Sequence, residues 1–159
     1  SYLSLPLLIH SKDKIETTGL PAQHEQGNGA VFLLDSGSSG ETASMVSLFM
    51  ENMKEEAFSK MMREEFIQMT DRCVDNFLKG NLKSLFGNMK SLSALVLKYF
   101  KPMIPKEFHE LWKKGIDSNT YYLKLCGSGG GGYILGFTED FKAAQKALEA
   151  YRLEVVYYF

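Results

Sequence analysis

Residues 120–138 read Thr120-Tyr121-Tyr122-Leu123-Lys124-Leu125-Cys126-Gly127-Ser128-Gly129-Gly130-Gly131-Gly132-Tyr133-Ile134-Leu135-Gly136-Phe137-Thr138. Two apolar runs, rich in aromatic and branched residues, flank five glycines within six positions. Such runs predict strands. A flexible linker is usually polar on both sides, so the pattern predicts a glycine loop held inside a sheet. A hairpin turn needs only one or two glycines, and ordering five costs chain entropy. The run suits bare backbone that must approach something closely. Successive N–H groups in such a loop can form a concavity that attracts an anion, and phosphate is the ligand class this suggests. A loose hairpin loop is the plainer alternative.

Two familiar phosphate loops are excluded by the residues after the glycines. Gly127, Gly129 and Gly132 satisfy G-x-G-x-x-G, but a dinucleotide fingerprint needs a helix next, whose N-terminus meets the pyrophosphate. Here Tyr133-Ile134-Leu135-Gly136-Phe137 reads as a strand. A P-loop needs Gly-Lys followed by Ser or Thr, and no Lys comes directly after these glycines.

Working outward, Leu3–His10 is an apolar segment with Pro6 and predicts an edge strand. Residues 11–29 are polar and punctuated by Gly19, Pro21, Gly27 and Asn28. Ala30–Asp35 predicts a buried strand. Three or four helices occupy residues 41–116. Met62, Phe66, Met69, Cys73 and Phe77 recur at helical spacing on one face. Gly80 reads as a stop and Asn81 as the cap of the next helix. That helix carries Leu82, Leu85, Met89, Leu92, Val96 and Tyr99, and Pro102 and Pro105 end it. A short helix over Lys106–Lys114 closes at Gly115. Glu139–Tyr151 predicts a helix and Leu153–Tyr158 a last strand. The methionines of the helical region read as gap-filling core. The fold class is therefore α+β: a mostly antiparallel four-stranded sheet with helices packed on one face, its central strands flanking the glycines.

The segment Lys124-Leu125-Cys126-Gly127-Ser128-Gly129-Gly130-Gly131-Gly132-Tyr133-Ile134 resembles the third motif of the GHMP small-molecule kinases. It departs from the mevalonate kinase form of that motif at Cys126, Ser128 and Tyr133, with the glycine spacing intact. Ala30-Val31-Phe32-Leu33-Leu34-Asp35-Ser36-Gly37, followed by Glu41-Thr42, is similar to the strand and turn that open the C-terminal half of mevalonate kinase-like proteins, with Ser36 in place of Thr. The plainer reading of that stretch is a strand-to-helix turn, with Ser38 or Ser39 capping a helix that begins near Gly40.

The resemblance implies a C-terminal GHMP kinase domain, distantly like a ferredoxin fold, spanning residues 1–159 as a single unit. The family's N-terminal motif, Pro-x-x-x-Gly-Leu-Gly-Ser-Ser-Ala, does not occur in the chain. The domain that carries it, along with the catalytic base, is expected as a partner, and no catalytic residue is expected here. The resemblance further implies ATP and Mg2+ as cofactors and a small-molecule hydroxyl as phosphoryl acceptor, most similar to the mevalonate case within isoprenoid biosynthesis. Gly127, Ser128, Gly129, Gly130, Gly131 and Gly132 are the expected nucleotide-phosphate contacts. Asp35, Ser36 and Ser38 are expected to border the substrate. Lys124 either adds charge nearby or faces solvent from its strand. Phosphomevalonate kinase, other GHMP kinases, and a stand-alone metabolite-binding or interaction module are the alternatives.

Composition narrows the remaining classes. Net charge is −1, from 18 basic and 19 acidic residues, which argues against a nucleic-acid platform or a membrane-surface binder. Lys83, Lys90, Lys98 and Lys101 read as a solvated helix face. Cys73 and Cys126 lie in different predicted elements and read as reduced thiols of a cytoplasmic protein. His10, His24 and His109 are dispersed, without metal-ligand spacing. A domain that normally docks against another half leaves apolar surface uncovered, and a homodimer is compatible with that surface.

Overall fold

The computed structural model describes residues 6–24 and 27–159. The chain begins with strands β1 (Leu7–Ser11), β2 (Lys14–Thr17) and β3 (Ala30–Asp35). Helices α1 (Thr42–Asn52) and α2 (Glu56–Met61) come next, and α2 runs through one π-helical turn (Met62–Phe66) into α3 (Ile67–Leu78). Helices α4 (Leu82–Tyr99) and α5 (His109–Ser118) lead to strands β4 (Tyr122–Leu125) and β5 (Tyr133–Thr138). Helix α6 (Phe141–Ala147) and strand β6 (Leu153–Tyr158) complete the chain.

The main sheet has four antiparallel strands in the order β4-β5-β3-β6, so the α+β class is as expected. Strand alternation explains its two faces. Ala30, Phe32 and Leu34 of β3 stand opposite Thr138, Gly136 and Ile134 of β5. This face packs beneath Phe108, Trp112, Ala144 and Leu148, all buried. The other face presents Val31 and Tyr157 to Cys73 of α3 and to Leu85, Met89 and Leu92 of α4. Helix α4 lies along the β4 edge and is held there by Ser93. The Ser93 hydroxyl accepts the Leu123 N–H at 3.2 Å, and the Ser93 carbonyl accepts the Trp112 indole N–H at 3.0 Å. An edge strand that would otherwise present bare amides is thereby covered.

Several sequence expectations are corrected. Only β5, of the two strands flanking the glycines, is central; β4 is the outer strand. Among the described residues, the N-terminal apolar segment forms no edge of this sheet. Its described part, β1, pairs with β2 in a separate hairpin, where Leu7, Ile9 and Ile15 are exposed; residues 3–5 of that expectation lie outside the described residues. Gly115 does not end its helix, which continues to Ser118 and stops at Asn119 in the left-handed region (φ 56°). Gly115 is needed for a different reason: a Cβ there would sit 2.4 Å from the Tyr121 ring. Gly80 does terminate α3, at φ 67°. Asn81 occupies the cap position of α4 without a side-chain capping bond. The last helix is shorter than expected, beginning after Asp140, whose carboxylate accepts the Ala143 N–H at 3.1 Å.

Candidate functional site

Glycines 127, 129, 130, 131 and 132 all have positive φ, between 57° and 150°, a region that costs L side chains energy. The loop they form folds back onto the turn that leads from β3 into α1. The Gly132 N–H donates to the Ser38 carbonyl at 2.6 Å, and the Ser36 N–H donates to the Gly132 carbonyl at 2.9 Å. Further along, the Gly130 N–H reaches the Met103 carbonyl at 2.7 Å, and the Gly129 N–H closes on the Cys126 carbonyl at 3.3 Å. Two segments almost a hundred residues apart in the chain are thus clasped through backbone hydrogen bonds.

Close approach accounts for three of the five glycines. A Cβ on Gly129 would lie 2.8 Å from the Met103 carbonyl oxygen, one on Gly130 would lie 2.8 Å from Met45, and one on Gly131 would lie 2.7 Å from the Gly40 amide nitrogen. Gly127 and Gly132 differ, because a Cβ on either meets nothing within 4 Å. The amides of Gly127, Ser128 and Gly131 have no hydrogen-bond partner among the described residues. The loop therefore spends part of its backbone on holding the protein together and keeps part of it open.

The β3–α1 turn has its own internal bracing. The Asp35 carboxylate accepts the Gly37 N–H at 2.9 Å, and the Ser36 and Ser38 hydroxyls are 3.2 Å apart. This is the short-range side-chain-to-backbone bonding that stabilises turns. Neither Ser38 nor Ser39 caps α1; Glu41 stands at the cap position without a side-chain bond, and Ser38 is committed to the turn and to Gly132. The Ser128 hydroxyl meets Thr42 Oγ1, at the start of α1, at 3.4 Å. Asp35, Ser36 and Ser38 and the glycine loop, read separately in the sequence, form one contiguous surface.

Lys124 does not face solvent as a surface strand lysine would. It is half-buried, its ammonium donates to the Leu125 carbonyl at 3.3 Å, and no carboxylate lies within ion-pairing distance among the described residues. Burial pushes the Cys73 thiol up to about 11 and raises that of Cys126 as well, with the Lys124 charge opposing in both cases. Both thiols are therefore protonated and poor nucleophiles at neutral pH. His10 hydrogen-bonds Glu16, and His109 bonds the carbonyls of Lys101 and Ile104. Among the described residues no three His, Cys, Asp or Glu side chains are grouped to hold a metal, and no helix is long and apolar enough to cross a membrane.

Sequence reasoning missed Met45 and Met103, against which the loop packs. Gly40 and Thr42 were read only as parts of the turn and helix start that follow β3, not as surfaces the loop meets.

A four-stranded antiparallel sheet with a strand–glycine loop–strand unit clasped to the opening turn of the domain defines the class. A family model described as GHMP kinases C terminal matches residues 73–156. The chain belongs to that family, which implies an ATP-dependent small-molecule kinase. No curated protein matches the chain.

Proposed function

We propose that this domain completes the active site of a GHMP kinase that transfers the γ-phosphoryl group of ATP to a hydroxyl of a small acid, with mevalonate as the favoured acceptor. The observation that carries this reading is the clasp between Gly132 and Ser38, because it sets an open stretch of amides beside a turn rich in hydroxyls. Phosphoryl transfer depends on positioning and on stabilising charge rather than on covalent chemistry by the protein. In this reading the free amides of Gly127 and Ser128 help to hold a terminal phosphate. The Ser36 and Ser38 hydroxyls border the acceptor. Bound ATP supplies the phosphoryl group, and Mg2+ neutralises its charge. The described residues include no cluster of metal ligands, so carboxylates on an N-terminal domain, the proposed partner, would hold the ion. That partner also supplies the catalytic base and the principal phosphate loop.

The acceptor preference rests on the wording of two motifs, Gly127–Gly132 and Phe32–Gly37, which are most similar to mevalonate kinases. The test is an ATP-coupled assay of the protein that carries this domain together with its N-terminal partner, against mevalonate, phosphomevalonate, homoserine and galactose. Turnover with mevalonate alone supports the full reading. Turnover with another acceptor keeps the kinase and removes the substrate. ATP binding to this chain alone, with no turnover on any acceptor in the presence of an N-terminal domain, favours a metabolite-binding module.

A further inference from the structure

Beside the glycine loop lies a cavity of about 290 Å3 whose apolar interior the kinase reading does not use. Helix α1 forms its roof through Met45 and Phe49. This helix buries none of its residues fully, and Val46 and Met50 remain about half exposed, so it covers the cavity without plugging it. The opposite wall is formed by Met62 and Phe66, the first and last residues of the π-helical turn. Such turns interrupt a helix at some cost and concentrate at functional sites. Methionine on both walls gives an adaptable apolar surface.

Part of the lining is of opposite character. Lys124, Gly127 and Ser128 complete it, and Lys124 also borders the groove on the far sheet face. The half-buried Lys124 ammonium has no carboxylate partner among the described residues, and the Gly127 and Ser128 amides have no acceptor there. A partly desolvated cation beside free amides favours an anion. The interior favours hydrocarbon, and its volume is that of about ten water molecules at roughly 30 Å3 each in the liquid, room for a short aliphatic chain.

We propose that this cavity binds a short amphiphilic anion, with its aliphatic chain under α1 and its charged head against Lys124 and the Gly127–Ser128 amides. The site needs no nucleotide and does not depend on the kinase reading. A ligand there would touch both α1 and the glycine loop, and its head would contend with any phosphate held by the same amides.

The chain labelled with 13C-methyl methionine provides the test. Met45, Met62 and Met103 line this cavity, whereas Met89 lines a groove on the far sheet face that shares only Lys124 with it. Titration with octanoate should shift the first three methyls saturably and leave Met89 unmoved. Octanol should bind about tenfold more weakly, the equivalent of one charged contact of about 1.4 kcal/mol, and acetate should not bind. Lys124→Met should bring octanoate down to the affinity of octanol and leave octanol unchanged. Should that variant not fold, the wild-type comparison of octanoate with octanol decides alone. Equal affinity for the two, movement of Met89 in place of Met45 and Met62, or shifts that rise without saturation would each overturn the proposal.

Discussion

A Cβ placed on Gly131 would stand 2.7 Å from the amide nitrogen of Gly40 and 2.9 Å from the Ser38 carbonyl oxygen. Neither neighbour is a flexible side chain that could swing away. With φ at 150°, Gly131 also occupies backbone space that L residues avoid. Gly131→Ala should therefore cost about 2–4 kcal/mol, combining strain and overpacking, and should lower the urea midpoint sharply. Gly127→Ala should cost only about 1 kcal/mol, since its Cβ points into open space and the penalty is that of a left-handed residue. Equal midpoints for the two variants would remove the clasp as the reason for the glycine run.

That contrast also supplies a cleaner probe of the proposed phosphate contact. Gly127→Ala leaves the clasp intact, so in the complete kinase its effect should fall on ATP affinity more than on folding. An increase of several-fold in the KM for ATP, with the melting temperature lowered by only a few degrees, is the expected result. An unchanged KM would place the terminal phosphate elsewhere.

Gly136 faces the Phe32 ring across the β3–β5 pair, and a Cβ there would approach ring carbons to 2.2–2.8 Å. Phe32 is fully buried and contacts Phe141 with ring centroids 6.0 Å apart, so it has nowhere to retreat. Gly136→Ala should cost about 1–3 kcal/mol by overpacking. Adding Phe32→Leu should restore part of that loss, because the two changes share one volume and cannot be additive. A double variant whose loss equals the sum of the single losses would show that the ring is not the obstacle.

The fold and the site differ in how much of each is local. Ala30–Asp35 and Tyr133–Thr138 announce themselves as strands through their own side chains, and the glycine run announces its need for close contact. Strand order is another matter. Tyr122–Leu125 is as apolar as Tyr133–Thr138, and its place at the edge follows from a hydroxyl on a distant helix, Ser93, that covers its exposed amide. Likewise Leu7–Ser11 has the composition of a strand for the main sheet, yet it finds a nearer partner in Lys14–Thr17. Gly115 and the Leu123 edge are set by tertiary neighbours, Tyr121 and Ser93, and no local pattern encodes a neighbour. The candidate site was half legible for the same reason: the loop carries its own signal, while Met45 and Met103 acquire a role only when the loop lands on them.

Ser93 makes that point measurable. Its side chain is buried and accepts the Leu123 N–H, while its carbonyl carries the Trp112 indole. Ser93→Ala removes only the first of these bonds and leaves a buried backbone donor unpaired, at a cost of about 1–3 kcal/mol. Native-state hydrogen exchange should show the Leu123 amide losing protection while the Leu34 amide, in the sheet centre, changes only with global stability. Retained protection at Leu123 would mean that the edge is covered by something other than the serine.

Burial of the two thiols and of Tyr121, Tyr122 and Tyr157 ties the stability of the fold to alkaline pH. Burial raises Cys73 from an ordinary 9.0 to about 11, raises Cys126 in the same direction, and raises Tyr121 from 10.0 to about 12. Each group is an acid whose neutral form the folded state prefers. Between the ordinary and the raised value the unfolded chain releases a proton that the folded chain retains, so the unfolded state gains and stability falls as pH rises. Below about pH 9 the contribution is fully present. The urea midpoint should hold steady from about pH 7 to 8.5 and then decline, with the thiols governing the window of about pH 9–10 and Tyr121 joining above it. Cys73→Ala should lower the midpoint at about pH 8 by leaving a small cavity, yet flatten the decline above pH 9; the Cys73→Ala/Cys126→Ala pair should flatten it further. Tyr121→Phe should leave that window untouched and lose stability at every pH, because the Tyr121 hydroxyl donates to the Leu111 carbonyl at 2.8 Å. A midpoint constant from about pH 8 to 10 in the wild-type chain would show that both thiols reach solvent, which would open the Cys73 wall of the core that the sheet and α3 here enclose.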